Sequence, residues 1–295
     1  MTYSLVIHGG AGAQPHIDYT QQRRHMAELI SVGEQMLMSG ETALQTVTEM
    51  VAAMESSGLY VAGKGSAPNT DGVVELDASI MDGNTREAGA VSAICNIVNP
   101  VKAALRVLED GKHVMLTAQG AQDFALANGL EVVTDADTYY VEHESHGSSV
   151  LVSSHGTVGA VALDAKGKLA AATSTGGTFN KRPGRVGDTP LIGAGTWADD
   201  LVAVSCTGVG EAFIRTSAAY DVAARIHYGN VSLDSAAHAT LAQVKRFDGD
   251  GGLIAIDKSG HIAMPFNSQG MKRATVSNTM SPVVRVFETE NPEAI

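Results

Sequence analysis

With 295 residues, 44% of them hydrophobic, the chain can bury a large core as one large domain or two small ones. The 32 acidic and 20 basic side chains give a net charge of −12, which repels nucleic acid and anionic lipid. The first residues lack the basic and long apolar segments of an export signal, and no run of about eighteen apolar residues occurs. We therefore expect a cytoplasmic protein without a membrane span or a nucleic-acid partner.

The beginning of the chain predicts one strand and two amphipathic helices. Residues 3–7 are typical of a buried strand, which runs into a glycine-rich turn at residues 8–12. Apolar residues then recur at helical spacing, and Gly40 can end the first helix. The predicted apolar faces consist of Met26, Leu29, Ile30, Gly33 and Leu37 in the first helix, and of Leu44, Val47, Val51 and Met54 in the second.

The middle of the chain predicts strands at residues 75–81 and 88–98, two helices and a linker. The first helix has Asn99 as its N-cap, Pro100 at its first position and Gly111 beyond its end, and the second ends at residues 128–129. Residues 132–156 are rich in Asp, Glu, His, Ser and Gly. Because apolar periodicity fades there, we expect an exposed, mobile linker.

The rest of the chain predicts a second series of strands and helices. Residues 157–163 and 168–174 are apolar runs that a turn at residues 164–167 joins into a hairpin. Further strands are expected at residues 201–206, 253–257 and 262–265, and helices at 211–228 and 232–246. Strands that are apolar at nearly every position need cover on both faces, which two stacked sheets flanked by helices would supply.

A candidate nucleophile, Thr157, lies where the predicted linker meets a strand. A threonine hydroxyl inside a chain has no base attached to it. Cleavage between Gly156 and Thr157 would create an α-amine with a pKa of about 7.7 to 8.0, which can act as the base for the Thr157 hydroxyl. Gly156 suits such a cleavage because it tolerates unusual backbone geometry. The alternative is a threonine that only opens a strand.

The predicted hairpin provides a second hydroxyl. If the turn is centred near Lys166, residues 157 and 175 face each other to within about one position. Thr175 could then support Thr157.

Two charged residues, Arg185 and Asp188, lie on a glycine-flanked bend. A guanidinium can bind a carboxylate through two parallel hydrogen bonds, and a carboxylate can accept hydrogen bonds from an ammonium group. Together these two side chains match the head of an α-amino acid. The alternative is an ordinary surface ion pair.

Residues 205–210, which read Ser-Cys-Thr-Gly-Val-Gly, end a predicted strand and begin a predicted helix. Backbone N–H groups at this junction, together with the Thr207 hydroxyl, could form an oxyanion hole. The alternative is a strand-to-helix turn that uses glycine only for steric reasons.

In this order, the motifs resemble the plant-type asparaginase and isoaspartyl peptidase family of N-terminal-nucleophile hydrolases. The resemblance covers nearly the whole chain, through residues 8–12, 75–83, 156–161, 173–177, 183–188, 205–208 and 265–271. It implies an α+β fold, a single four-layer αββα sandwich, and self-cleavage into an α subunit of residues 1–156 and a β subunit of residues 157–295. It also implies a dimer of αβ units, which is a heterotetramer, that hydrolyses L-asparagine and β-aspartyl dipeptides without a required cofactor.

The resemblance assigns catalytic roles to four residues. Thr157 would be the nucleophile and Thr175 would hydrogen-bond to it, while Thr207 and Gly208 would form the oxyanion hole.

The same resemblance assigns the binding of substrate. Arg185 and Asp188 would hold the α-carboxylate and the α-amine, and Gly210 would line the same pocket. A structural sodium ion would bind to backbone carbonyls before Tyr60. One residue departs from the family pattern, because Val61 stands where the family usually has asparagine.

Three other interpretations remain open. The chain could be a glycosylasparaginase-like amidase, which shares the nucleophile but accepts a sugar on the side-chain amide. It could instead be a binding protein of the same fold that does not cleave itself. His143, His146 and His155 could bind zinc, but their spacing suits no common site and a solvated linker is favoured over a metal site.

Overall fold

Strands and helices make up most of this computed structural model, which describes residues 2–141, 156–289 and 293–294. The strands are β1 (Ser4–Ala11), β2 (Leu76–Asp82), β3 (Ala88–Ile94), β4 (Met115–Thr117), β5 (Val158–Leu163), β6 (Leu169–Thr175), β7 (Thr196–Ala198), β8 (Val202–Gly208), β9 (Gly251–Asp257), β10 (Ile262–Ala263), β11 (Met271–Ser277), β12 (Met280–Arg285) and β13 (Glu293–Ala294). The helices are α1 (Thr20–Ser39), α2 (Ala43–Ser57), α3 (Pro100–Asp110), α4 (Ala118–Ala127), α5 (Ala136–Tyr139), α6 (Gly210–Thr216), α7 (Ala218–Gly229) and α8 (Leu233–Lys245).

The strands form two sheets. The larger sheet has nine described strands in the order β13-β12-β11-β1-β5-β6-β2-β3-β4, and the smaller has four in the order β10-β9-β8-β7. The pairs are antiparallel except for β3 and β4, which are parallel. Strands β5, β6 and β1 lie side by side in the larger sheet, and this arrangement positions the candidate site.

Three hydrophobic layers hold four structural layers together. Helices α1, α2 and α3 cover the outer face of the larger sheet, and α6, α7 and α8 cover that of the smaller sheet. Between the sheets, Val6 and Val161 pack with Ile254 and Ile256. Each fully buried aliphatic side chain of this kind contributes about 1.5–3 kcal/mol. The result is the predicted αββα sandwich.

The predicted helix faces and ends are confirmed in the first half of the chain. The buried residues of α1 are the five predicted ones, and its C-cap Gly40 has a left-handed φ of 94°. Helix α3 begins at Pro100 and ends before Gly111, which is also left-handed. Asn99 occupies the N-cap, but its side-chain amide donates to Glu55 Oε2 at 3.1 Å instead of capping the helix.

Two predictions are corrected, and one strand was not predicted. The single helix expected at residues 211–228 is two helices, α6 and α7, because Ser217 between them adopts a left-handed conformation with φ 48°. The turn expected at residues 8–12 is largely a continuation of β1, whose register shifts between His8 and Ala11. Strand β11 was not expected, because Lys272 and Arg273 interrupt its apolar pattern, although both are buried.

The predicted linker is described only in part. Val132 forms an isolated bridge with Ile97, and helix α5 follows. Residues 142–155, which include His143, His146 and His155, lie outside the described residues. No helix in the described part of the chain is long and apolar enough to cross a membrane.

Candidate active site

The β5–β6 hairpin brings two threonine hydroxyls together. Val158 pairs with Ser174, so the predicted register is confirmed and Thr157 lies opposite Thr175. Thr157 Oγ1 donates to Thr175 Oγ1 at 3.1 Å, and the backbone N–H of Gly177 donates to the same Thr175 oxygen at 3.0 Å. Thr157 is only 6% exposed. The backbone and a second hydroxyl therefore fix the position of the candidate nucleophile.

Gly156 packs directly against Val61. A Cβ atom on Gly156 would lie 2.2 Å from Val61 Cβ and 2.8 Å from Val61 N, so no larger residue fits without movement. The carbonyl of Val61 accepts a hydrogen bond from Gly176 N at 2.8 Å. The residue that departs from the family pattern thus lies between the candidate cleavage site and the end of β6.

Arg185 and Asp188 lie together against two glycines. A Cβ atom on Gly210 would lie 2.8 Å from Arg185 Nη2 and 3.1 Å from Asp188 Oδ1, and one on Gly187 would lie 2.8 Å from Arg185 Nη1. Asp188 is buried, and its Oδ2 has no hydrogen-bond partner among the described residues. Burial raises the pKa of Asp188 to about 7, although the Arg185 charge opposes that rise. These side chains could bind an ammonium group and a carboxylate.

One edge of the Arg185 guanidinium is occupied by a residue that the sequence did not single out. Arg185 Nε and Nη2 donate to the two carboxylate oxygens of Glu211, each at 3.0 Å. A bidentate pair of this kind fixes the plane of the guanidinium. The edge that includes Nη1 remains on the side of Gly187.

A buried cluster of charges supports this loop from behind. Lys181 Nζ donates to the carbonyl oxygen of Glu75 at 2.6 Å and lies 3.9 Å from Glu75 Oε2. Glu75 Oε1 accepts from Gly184 N at 2.8 Å, next to Arg185. Burial raises the pKa of Asp77 to about 6, and the nearby charge of Lys181 opposes this rise. Charged residues at the start of an apolar strand were the only sequence signal of this cluster.

Thr207 and Gly208 lie at the end of β8, and α6 begins at Gly210, as predicted. The backbone N–H of Ala11 donates to Thr207 Oγ1 at 3.2 Å, so the Thr207 hydroxyl keeps its own hydrogen for another acceptor. Gly208 has a φ of 155° and pairs with Gly251.

A polar network that the sequence did not reveal joins the two sheets beside the site. His8 Nε2 lies 2.9 Å from Ser205 Oγ, which lies 2.7 Å from Thr173 Oγ1. Thr196 Oγ1 donates to Thr173 Oγ1 at 2.6 Å. Burial lowers the pKa of His8 to about 3, so the imidazole is neutral near pH 7. The network connects β1, β6 and β8 without introducing a buried charge.

Five of the candidate site residues meet at one cavity. Thr157, Thr175, Arg185, Asp188 and Gly208 all line it, and its volume is about 10 Å³. A space of that size holds about one water molecule. Within residues 2–141 and 156–289, no group of three or more His, Cys, Asp or Glu side chains is placed to hold a metal ion.

The four-layer sandwich, with a threonine at the start of an inner strand, defines the class of N-terminal-nucleophile hydrolases. A family profile described as asparaginase matches residues 1–286, and the chain belongs to this family.

Relatives of the chain cover nearly its whole length. An isoaspartyl peptidase of Escherichia coli strain K12 is 46% identical over 92% of this chain and 91% of its own. An isoaspartyl peptidase/L-asparaginase of Homo sapiens is 42% identical over 93% of each chain. A probable isoaspartyl peptidase/L-asparaginase of Arabidopsis thaliana is 34% identical over 97% of this chain and 99% of its own.

Proposed function

We propose that the protein is a threonine amidohydrolase that cleaves itself between Gly156 and Thr157 and then hydrolyses L-asparagine and β-aspartyl dipeptides. The observation that carries the proposal is the 3.1 Å hydrogen bond between the Thr157 and Thr175 hydroxyls, at a cavity that Arg185 and Asp188 also line. The names of the bacterial and human relatives support the same substrates.

Self-cleavage needs only the chain and water. The Thr157 hydroxyl attacks the Gly156 carbonyl carbon, the C–N bond breaks, and the hydroxyl proton passes to the released amine. Gly156 is then held as an ester on Thr157. Water hydrolyses that ester, which leaves a carboxylate on Gly156 and a free amine and hydroxyl on Thr157.

Substrate hydrolysis repeats this chemistry on a second carbonyl. The Thr157 α-amine accepts the hydroxyl proton while Thr157 Oγ1 attacks the side-chain carbonyl of the substrate. The Thr207 hydroxyl and the Gly208 N–H would stabilise the resulting oxyanion. The leaving amine departs with a proton, and water then hydrolyses the aspartyl ester to aspartate.

Recognition of the substrate's head would use Arg185 and Asp188. The guanidinium edge that Glu211 leaves available suits the α-carboxylate, and the unpaired Asp188 Oδ2 suits the α-ammonium. Gly210 would allow both to approach, because a Cβ there would collide with Arg185.

The test compares L-asparagine, β-aspartyl-leucine and N-acetyl-asparagine. We expect hydrolysis of the first two only, because the acetyl group removes the charge that Asp188 would bind. Arg185→Lys should lower kcat/KM for both, since an ammonium cannot reproduce a bidentate fork. Equal hydrolysis of the acetylated compound would contradict this assignment.

The two alternatives within the fold predict different outcomes in the same assays. A glycosylasparaginase-like amidase would prefer asparagine that carries a sugar on its side-chain amide. A binding protein would remain one intact chain after long incubation and would hydrolyse none of these compounds.

We also propose that a structural sodium ion binds in the loop that follows α2. The carbonyl oxygens of Gly58 and Tyr60 converge on Gly65, where a Cβ would lie 2.9 and 2.0 Å from them. Converging carbonyls are ligands that hard cations prefer. If sodium binds, the melting temperature should be higher in sodium chloride than in choline chloride at equal ionic strength.

Assembly and location also remain proposals. We infer a single domain made of an α subunit (residues 1–156) and a β subunit (residues 157–295), paired as a dimer of αβ units in the cytoplasm. Light scattering of the cleaved protein would test the predicted heterotetramer.

A further inference from the structure

In the larger sheet, a different strand lies on each side of the strand that follows the candidate nucleophile. Thr157 precedes β5, which lies between β6 and β1. The β6 side carries Thr175 and leads to the loop with Arg185 and Asp188, where the proposed function places the substrate's amino-acid head. The β1 side has no role in that proposal.

Strand β1 passes the nucleophile and then leads to a second cavity. The pairing of β1 with β5 extends to His8 and Gly159, two residues from Thr157. Beyond this point the chain reaches Gly12 and Gln14, which line an open cavity of about 580 Å³. Its other lining residues are Pro15, His16, Asp250 and Gln269.

The two cavities share a wall. Gly208 lines the small cavity beside Thr157, and a Cβ atom on Gly208 would lie 2.3 Å from the carbonyl oxygen of Asp250 in the large one. Ala11, which precedes Gly12, donates its N–H to Thr207. The large cavity therefore lies next to the proposed oxyanion hole.

We propose that this second cavity is the binding site for the amino acid released from a β-aspartyl dipeptide. The inference rests on the proposed function. The acyl chain and the leaving nitrogen diverge from a trigonal carbonyl carbon, so a head held on the β6 side directs the leaving group to the β1 side. A cavity of 580 Å³ accommodates an amino acid, and the polar side chains of His16 and Gln269 line it.

The test uses L-asparagine as an internal control, because it shares the acyl half of the dipeptide but releases only ammonia. We expect His16→Ala and Gln269→Ala each to lower kcat/KM for β-aspartyl-leucine by about 2- to 10-fold, the effect of one lost hydrogen bond. The same variants should leave kcat/KM for asparagine within about twofold of the wild-type value. Gln269→Trp, which fills the cavity, should exclude the dipeptide more strongly and still accept asparagine.

A matched control comes from another exposed histidine that lines a cavity. His227 lines a separate pocket with Arg86 and Tyr228, so His227→Ala should change neither substrate. Equal losses on both substrates, or no loss with Gln269→Trp on the dipeptide, would overturn the subsite. If the wild-type protein hydrolyses neither substrate, the proposed function fails and the subsite fails with it. If it hydrolyses asparagine alone, the subsite fails together with the dipeptide part of the proposed function, whereas asparagine hydrolysis at Thr157 stands.

Discussion

At the scale of single residues, the carboxylate of Asp188 has a charge that depends on pH in the range where the enzyme would work. Burial raises the pKa of Asp188 to about 7, so the group is ionised above that pH and gains a proton below it. The proposed interaction with an α-ammonium needs the ionised form. The inhibition constant of L-aspartate should therefore increase as pH falls below about 7, by up to roughly tenfold for each pH unit.

Succinate is the matched control for this prediction, since it has the same two carboxylates as aspartate but no α-amine. Its inhibition constant should not increase in the same way on acidification. If both ligands weaken in parallel, the titrating group is one that acts on the carboxylates or on Thr157, and the assignment of Asp188 to the amine is wrong.

Val61 directly contacts Gly156 at the proposed scissile bond. Its side chain is 8% exposed and packs against Gly156, so it can offer neither a donor nor an acceptor there. Val61→Asn would introduce an amide at this position with little change in volume. We expect self-cleavage to accelerate by about tenfold or more, because one donor aimed at the developing oxyanion can contribute up to about 10²-fold. Gel electrophoresis against time measures the rate.

Val61→Ala separates this effect from relief of packing, because alanine opens space without adding a polar group. An equal acceleration in both variants would show that the valine restrains the Gly156 backbone by contact. No acceleration with asparagine would show that the pocket is built around an apolar side chain.

At the scale of elements, periodicity and turn chemistry predicted the parts of the structure that depend on neighbouring residues. The turn at residues 164–167 sets the β5–β6 register, and this local register is enough to place Thr157 opposite Thr175. The buried face of α1 was predicted correctly, because its five apolar side chains recur at helical spacing and together cover one sheet.

Features that depend on distant residues could not be predicted in the same way. Lys272 and Arg273 interrupt the pattern of β11, and only its place beside β1 explains their burial. Glu211 is far from Arg185 in sequence, and their pairing depends on how α6 packs. Ser217 gives no signal for a break, because a left-handed serine is uncommon.

The loop that carries Arg185 depends on the buried cluster of Glu75, Asp77 and Lys181. Lys181→Met would leave two buried carboxylates without their cation, so the loop should move away from β2. We expect KM for asparagine to increase by about tenfold or more, with a smaller change in kcat. Self-cleavage should continue, because the Gly156 to Thr157 bond contacts Val61 and not this cluster.

Two further variants separate positioning from general stability. Lys272→Met removes another buried lysine, on β11, and should leave KM for asparagine unchanged. The double variant Lys181→Met/Asp77→Asn removes one charge of each sign and should recover part of the affinity. If KM for asparagine is unchanged in Lys181→Met, the cluster does not position the loop.

At the scale of the whole molecule, the strand order keeps the two proposed subunits together after cleavage. Strand β1 of the first lies between β5 and β11 of the second, and β2 pairs with β6. Backbone hydrogen bonds of one sheet thus join both subunits at several places. We expect the fragments to co-purify under native conditions and to separate only in denaturant.

The site beside Thr157 is incomplete while the chain is intact. The cavity beside Thr157 has a volume of about 10 Å³, too small for asparagine, and the Thr157 nitrogen is still part of a peptide bond. An intact chain therefore lacks a base for the proposed nucleophile.

The purified protein should consequently convert on its own into fragments of residues 1–156 and 157–295, of about 16 and about 14 kDa from a chain of 30.6 kDa. The smaller fragment should begin Thr-Val-Gly-Ala-Val, and asparagine hydrolysis should rise in step with the fraction cleaved. Thr157→Ala should stay intact and inactive, whereas Thr157→Ser keeps a hydroxyl and should cleave more slowly. Edman sequencing and a timed activity assay provide the measurements. Hydrolysis by fully intact protein, or cleavage of Thr157→Ala at this bond, would mean that another residue is the nucleophile.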